Sequence, residues 1–142
     1  TTERAYFNFW EGTWYELRDG RRAEQPSYII PRPAHESAFV EQWGPAISGE
    51  PSPPRALRAW EHDARTWRFL WITAEGHTQH WDTRKHGTDW YIYREFTQNG
   101  VTFVSRQAWL PQADGSVVRV IERSLDGGET WFTRVRARLV RG

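Results

Sequence analysis

The sequence predicts an all-β protein: an up-and-down antiparallel barrel of about ten strands behind a short N-terminal helical turn. Three observations carry this. Nearly every segment alternates apolar and polar residues with period two and ends in a turn signal. No helical periodicity runs long enough to connect parallel strands. The hairpin turns, taken independently, place one aromatic set of residues on a common face, and strands in sequence order lose their edges by closing. At 142 residues the chain has the length of one domain, 1–142.

The elements follow in order. A helical turn over 3–10 comes first, then strands near 12–18, 23–31, 36–43, 55–61, 67–73, 77–83, 88–96, 101–110, 116–123 and 130–140. The stretch 44–54, GPAISGEPSPP, holds four of the eight prolines and is excluded as a central strand. It reads as a lid over the barrel mouth or as a plain surface loop.

Residues paired across a hairpin share a face, so each turn predicts a register. Pairing around 61–66 sets Trp60 against Trp67 and Arg58 against Phe69. A three-residue loop at 74–76 sets Thr73 against His77, Trp71 against Gln79 and Phe69 against Trp81. A four-residue loop at 84–87 sets Trp81 against Trp90, Gln79 against Ile92 and His77 against Arg94. Asn99-Gly100, the strongest short hairpin signal here, sets Phe96 against Phe103, Arg94 against Ser105 and Ile92 against Gln107. The PQADG turn is ambiguous by one residue. A four-residue loop at 111–114 sets Gln107 against Val118 and Phe103 against Glu122; a five-residue loop swaps the faces of everything downstream. The first choice is taken because it leaves Arg134, Arg136 and Arg138 outside, where unpaired arginines cost least. The interior then carries Trp60, Trp67, Phe69, Trp71, Trp81, Trp90, Ile92, Phe96, Phe103, Trp109, Val118, Val120, Trp131 and Val135.

The same face carries Arg58, His77, Gln79, Arg94, Ser105, Gln107 and Glu122, with Glu122 within reach of Arg94. If Trp43 is inside, so is Glu41, and Tyr28 lines the same wall. Polar groups aimed into an aromatic-walled cavity are the pattern of a small-molecule site. The competing reading is a structural network in which Arg94 pairs with Glu122 and the amides satisfy one another. The expected function is binding of a small, partly aromatic, polar or anionic organic molecule, with Arg58 and Arg94 on its polar end and Trp60, Trp71, Trp81, Trp90 and Trp109 on its body. The alternative is a cofactor-free isomerase, cyclase or hydrolyase, with Glu122 or Glu41 as acid or base and His77 as partner.

Composition narrows the field. With no cysteine there is no disulfide framework, thiol nucleophile or cysteine metal site. No histidine pair stands at ligand spacing, so neither metal nor cofactor is expected. Net charge is +1, which gives no nucleic-acid signal. Arg119, Arg123, Arg134, Arg136 and Arg138 are expected on the exterior of the last two strands as a solvated stripe. No apolar run is long enough to span a membrane, and TTERAYFNFW lacks the apolar core of a signal peptide, so a cytoplasmic monomer or homodimer is expected.

Three stretches carry a resemblance. Asn8-Phe9-Trp10-Glu11-Gly12-Thr13-Trp14 resembles the FDFW-x-G-x-W opening of a bacterial lipocalin-like family of unknown function, and its Gly12-x-Trp14 is similar to the lipocalin G-x-W signature. LRAWEHDARTWRFLWI, 57–72, resembles that family's central hairpin. Trp109-Leu110-Pro111, Asp114-Gly115 and the stretch Glu122 to Trp131 resemble its W-x-P…DG…E-x-S-x-DGG-x-TW ending. The resemblance implies a lipocalin-like barrel and no particular activity. Ile121, where the family usually has a second Trp, and Phe69, where it tends to a polar residue, imply a cavity shaped for a different ligand. Ser124 to Trp131 also fits an Asp-box, S-x-D-x-G-x-T-W, a hairpin device in which Asp and Gly fold the turn and Trp packs inward. Haem barrels with similar openings use a histidine on a late strand; no histidine follows His86 here.

Overall fold

The computed structural model describes residues 3–33, 37–44 and 54–142. A 3-10 turn, Tyr6–Phe9, precedes strands β1 (Gly12–Arg18), β2 (Arg21–Arg22), β3 (Tyr28–Ile30), β4 (Ala38–Trp43), β5 (Arg55–Glu61), β6 (Thr66–Ile72), β7 (Thr78–His86), β8 (Asp89–Gln98), β9 (Val101–Pro111), β10 (Val117–Ser124) and β11 (Phe132–Arg141). The sheet runs β11-β10-β9-β8-β7-β6-β5-β4-β3-β1, and β11 pairs back onto β1, closing a ten-strand antiparallel barrel with β2 outside it. The strand expected over 23–31 is thus split: Pro26 has no amide hydrogen for a ladder, and only Tyr28–Ile30 joins the barrel. The proline-rich stretch read as a possible lid, and the histidine at position 35, fall outside the described residues apart from Gly44 and Pro54.

Closure is locked at the seam. Trp14 faces Arg141 across β1–β11. The Arg141 guanidinium lies 4.5 Å from the centre of the Trp14 ring and donates to the Phe9 and Glu11 carbonyls. It fits because Gly12, at φ +132°, has no Cβ; one built there would stand 2.5 Å from an Arg141 nitrogen.

One barrel end is plugged by the N-terminal segment. Phe7 and Trp10 are buried. Trp10 stacks on Trp14 at 5.6 Å, and Phe7 meets Trp67 edge-on at 4.8 Å. Three polar contacts hold the plug: Tyr6 donates to Asp89 at 2.6 Å, Trp67 to the Glu3 carbonyl at 3.0 Å, and Trp14 to the Trp10 carbonyl at 2.9 Å. The core is ring against ring, as a Trp-rich, aliphatic-poor sequence requires.

Most registers match the turn arithmetic, including Trp60–Trp67, Arg58–Phe69, Trp71–Gln79, Phe69–Trp81, Arg94–Ser105 and Ile92–Gln107. Two do not. β7 and β8 turn at Gly87-Thr88, so Ile92 faces Thr83 rather than Gln79; the slip is even and no side chain changes face. The second difference inverts a strand. Gln112 N–H donates to the Ser116 carbonyl around a three-residue loop, Ala113-Asp114-Gly115, with Gly115 at φ +86°. Trp109 then faces Arg119, Gln107 faces Ile121 and Ser105 faces Arg123. Val118, Val120 and Glu122 turn outward, the first two into a small cluster with Ala108, Tyr91 and Leu110. Arg134, Arg136 and Arg138 still point out, because the β10–β11 ladder shifts by one residue: Ile121 faces Val135 but Glu122 faces Thr133. This bulge absorbs the phase change. It also puts Trp131 on the outer wall, against Tyr93 at 5.9 Å and under the Arg106 guanidinium at 3.9 Å, rather than in the core.

Candidate functional site

The interior has two halves. Toward the plug, Arg58 and Glu41 form a pair whose side chains are 2% and 0% exposed, at 2.5 Å. Trp43 donates its indole N–H to Glu41 at 3.1 Å. The Arg58 guanidinium lies 4.6 to 4.9 Å from the ring centres of Phe7, Trp109 and Phe69. The Arg58 charge is thus balanced, while the indole N–H groups of Trp10, Trp90 and Trp109 are buried here with no acceptor among the described residues.

Toward the other end lies a cavity of about 290 Å³, lined by Trp43, Phe69, Trp71, Gln79, Trp81, Ile92, Gln107, Arg119 and Ile121. That volume is at the small end for ligand pockets, which start at roughly 300 Å³. Gln79 accepts from the Trp81 indole at 3.2 Å. Arg119 is 7% exposed and donates one bond, 3.1 Å, to the Gln107 amide oxygen. Its Nε, and the indole N–H of Trp71, are buried with no acceptor among the described residues. The Tyr28 phenol is fully buried nearby; burial pushes it up, and the Arg119 charge offsets part of that.

A row of residues toward the mouth continues the pattern. Arg94 and Arg123 both sit opposite Ser105, on its two neighbouring strands. Arg123 covers the Phe103 ring at 3.8 Å, and Phe103 stacks on Phe96 at 5.6 Å. Arg94 lies where β7 diverges from β8, donates to the His80 carbonyl at 2.9 Å and keeps a buried, unpartnered Nε. The inward carboxylates are already engaged, Glu41 on Arg58 and Glu16 on Arg18 at 3.4 Å. Among the described residues no carboxylate stands within 4.0 Å of Arg94, Arg119 or Arg123.

Of the residues singled out in the sequence, Trp43, Trp71, Gln79, Trp81 and Gln107 line the cavity. Arg58, Trp109 and Tyr28 lie buried beneath it. Ser105 and Arg94 form the row toward the mouth. Trp60 and Trp90 meet edge-on at 6.2 Å near the plug, away from the cavity. Three placements need correction. Glu122 is on the outer wall, paired with Arg106 at 2.7 Å and not with Arg94, because the three-residue loop inverted its strand. His77 is exposed in the β6–β7 turn. Arg119 and Arg123, expected outside, face in. Position 107 opposite 121 rather than 118 is what the sequence reading missed, and with it the cavity's own arginine.

A larger groove of about 480 Å³ lies on the outer wall beside Arg84, Tyr93, Arg106 and Trp131. Arg94 and Glu95 also line it; Arg84 pairs with Asp82 at 3.6 Å and Arg106 with Glu122. No group of three or more His, Cys, Asp and Glu side chains placed to hold a metal occurs among the described residues, and no helix there is long and apolar enough to cross a membrane. Searches of family models, curated proteins and solved structures return no match to this chain.

Proposed function

We propose that this barrel binds a small, partly aromatic organic anion, with the anionic group on Arg119 and the ring between the cavity's tryptophans. One observation carries the reading: Arg119 is a buried cation with a neutral partner and a spare donor, aimed into an indole-walled cavity. A buried charge without a counter-charge is costly to keep. A carboxylate or sulfonate ligand would supply both the missing charge and the acceptor for Arg119 Nε and the Trp71 N–H.

Acid–base catalysis in the same cavity has less support, since no carboxylate or histidine is among its lining residues and Glu41 is committed to Arg58. The closed ten-strand barrel is compatible with the lipocalin-like family whose motifs the chain resembles, and membership belongs to the same proposal. So do a small molecule as the partner, rather than nucleic acid, in a monomer or homodimer, and a cytoplasmic setting. Arg138 on the outer wall is held by Asp114 at 3.3 Å, as on a solvated face. Outward charges such as Arg68, Asp82 and Glu95 suit water better than lipid.

The test is calorimetric titration with 2-naphthoate and its neutral counterpart naphthalene-2-carboxamide. The acid should bind the wild type at least about tenfold more tightly, and Arg119→Met should remove that advantage, as expected for a charge-assisted bond of roughly 1.5–3 kcal/mol. Equal binding of acid and amide, or an unaffected R119M, would overturn the reading.

A further inference from the structure

One anionic group does not account for the arginines. Arg119 needs one counter-charge; Arg94 and Arg123 need another, and they stand in a different row. Arg119 and Arg123 are four residues apart on one face of β10, about 13 Å at the backbone. Arg94 and Arg123 flank Ser105 from adjacent strands, about 10 Å apart at the backbone; Arg94 donates to the His80 carbonyl and Arg123 lies over Phe103, so a ligand group between them would draw both. Between the rows lies the cavity, with Ile92, Gln107 and Ile121 in the intervening row; the Phe96–Phe103 stack that Arg123 covers lies on the far side of the outer row. Trp81 touches Phe96 at 5.7 Å and also lines the cavity, so one continuous aromatic wall joins both rows.

We infer that the ligand is a planar dianion, of the aromatic dicarboxylate class, held at both ends: one carboxylate deep on Arg119, the other on Arg94 and Arg123. The inference rests on the proposed function and refines it. Two like-charged guanidiniums in one row without a carboxylate repel each other, and a shared carboxylate relieves that repulsion while accepting from both. The buried Nε of Arg94, with no acceptor of its own, is the second observation pointing the same way. Ser105, 8% exposed between the two arginines, supplies a hydroxyl to a bound oxygen without adding bulk.

The experiment compares naphthalene-2,6-dicarboxylate with 2-naphthoate by calorimetry, on wild type, Arg123→Met, Arg94→Met and Arg119→Met. Each variant's thermal unfolding is measured alongside, and Arg123→Lys serves as the conservative control should R123M fail to fold. The diacid should bind wild type about tenfold more tightly than the monoacid. R123M and R94M should erase that ratio and leave the monoacid unchanged, R123K should retain part of it, and R119M should weaken both ligands. A ratio near one in wild type, or a ratio that survives both R123M and R94M, overturns the second subsite; if the monoacid still depends on Arg119, the binding function itself stands. Failure of either acid to bind in an Arg119-dependent way overturns both.

Discussion

Arg58 and Arg119 both point into the barrel from neighbouring layers, and the protein treats them in opposite ways. Arg58 has a carboxylate at 2.5 Å and three aromatic rings around its guanidinium. Arg119 has one amide oxygen and a cavity. Buried indole N–H groups without acceptors among the described residues occur in both halves, Trp10, Trp90 and Trp109 toward the plug and Trp71 at the cavity; what differs is the charge, which is balanced at Arg58 and not at Arg119. Stability alone favours the first arrangement, or an apolar residue in place of the second arginine. The difference is what supports placing the proposed ligand at Arg119: chains depart from self-satisfied packing chiefly where a group is kept for function.

The largest effect should come from turning Arg58 into a second Arg119. Glu41→Gln preserves volume but removes the counter-charge. It should cost about 3–5 kcal/mol in denaturant unfolding, because it strands a charge that is nearly inaccessible to water.

The converse change turns Arg119 into a second Arg58. Gln107→Glu places a carboxylate where the amide oxygen now accepts from Arg119. Affinity for 2-naphthoate should fall by about tenfold or more, since the site then carries its own anion. Unfolding stability should not fall, and the pair of measurements distinguishes loss of the site from loss of the fold.

A smaller effect separates the two ends by pH. At the plug, burial and the neighbouring Asp89 hold the Tyr6 phenol above its ordinary 10.0. A raised folded value means that its contribution is complete below pH 10 and is lost as pH rises beyond that. At the mouth, the Asp126 carboxylate accepts from the Thr130 hydroxyl and amide and the Ser124 hydroxyl, which hold it well below its ordinary 3.8. Its contribution is complete above about pH 4 and is lost on acidification. Fluorescence of Trp131, whose indole donates to the Gly128 carbonyl at 3.0 Å, should report loosening of the 124–131 turn in acid. Tyr6→Phe should reduce the alkaline sensitivity, the raised Tyr28 and Tyr91 phenols keeping the rest, and should leave the acid limb intact.

Much of this was legible in the sequence, and the failures have one physical origin. Asn99-Gly100 and the loop ending at Gly76 gave correct registers, so the aromatic wall from β5 to β9 was readable in advance. Gly76 and Gly115 both close three-residue loops at positive φ, 88° and 86°. The first was read as such; at the second, the Asp114-Gly115 pair carried the same signal. The choice at that turn lies between a four- and a five-residue loop, and the opposite phase is rejected in order to leave the arginines of the last strand outside. The β10–β11 bulge broke that inference, since one extra residue changes the face of everything beyond it. No composition signal marks the bulge. The consequence was chemical: an inward carboxylate, Glu122, was expected near Arg94, and an arginine, Arg123, stands there instead. The row expected to hold a carboxylate beside Arg94 holds a second arginine, and this is why the proposed function is anion binding rather than acid–base chemistry.

The most direct test of that conclusion is the unfolding free energy of Arg119→Met beside that of wild type, in the absence of any ligand. If Arg119 is kept for a ligand, removing it relieves an unpaired buried charge, and stability should be unchanged within about 1 kcal/mol or should rise. A loss of about 3–5 kcal/mol, equal to that of E41Q, would mean that Arg119 is structural like Arg58, and would contradict the account.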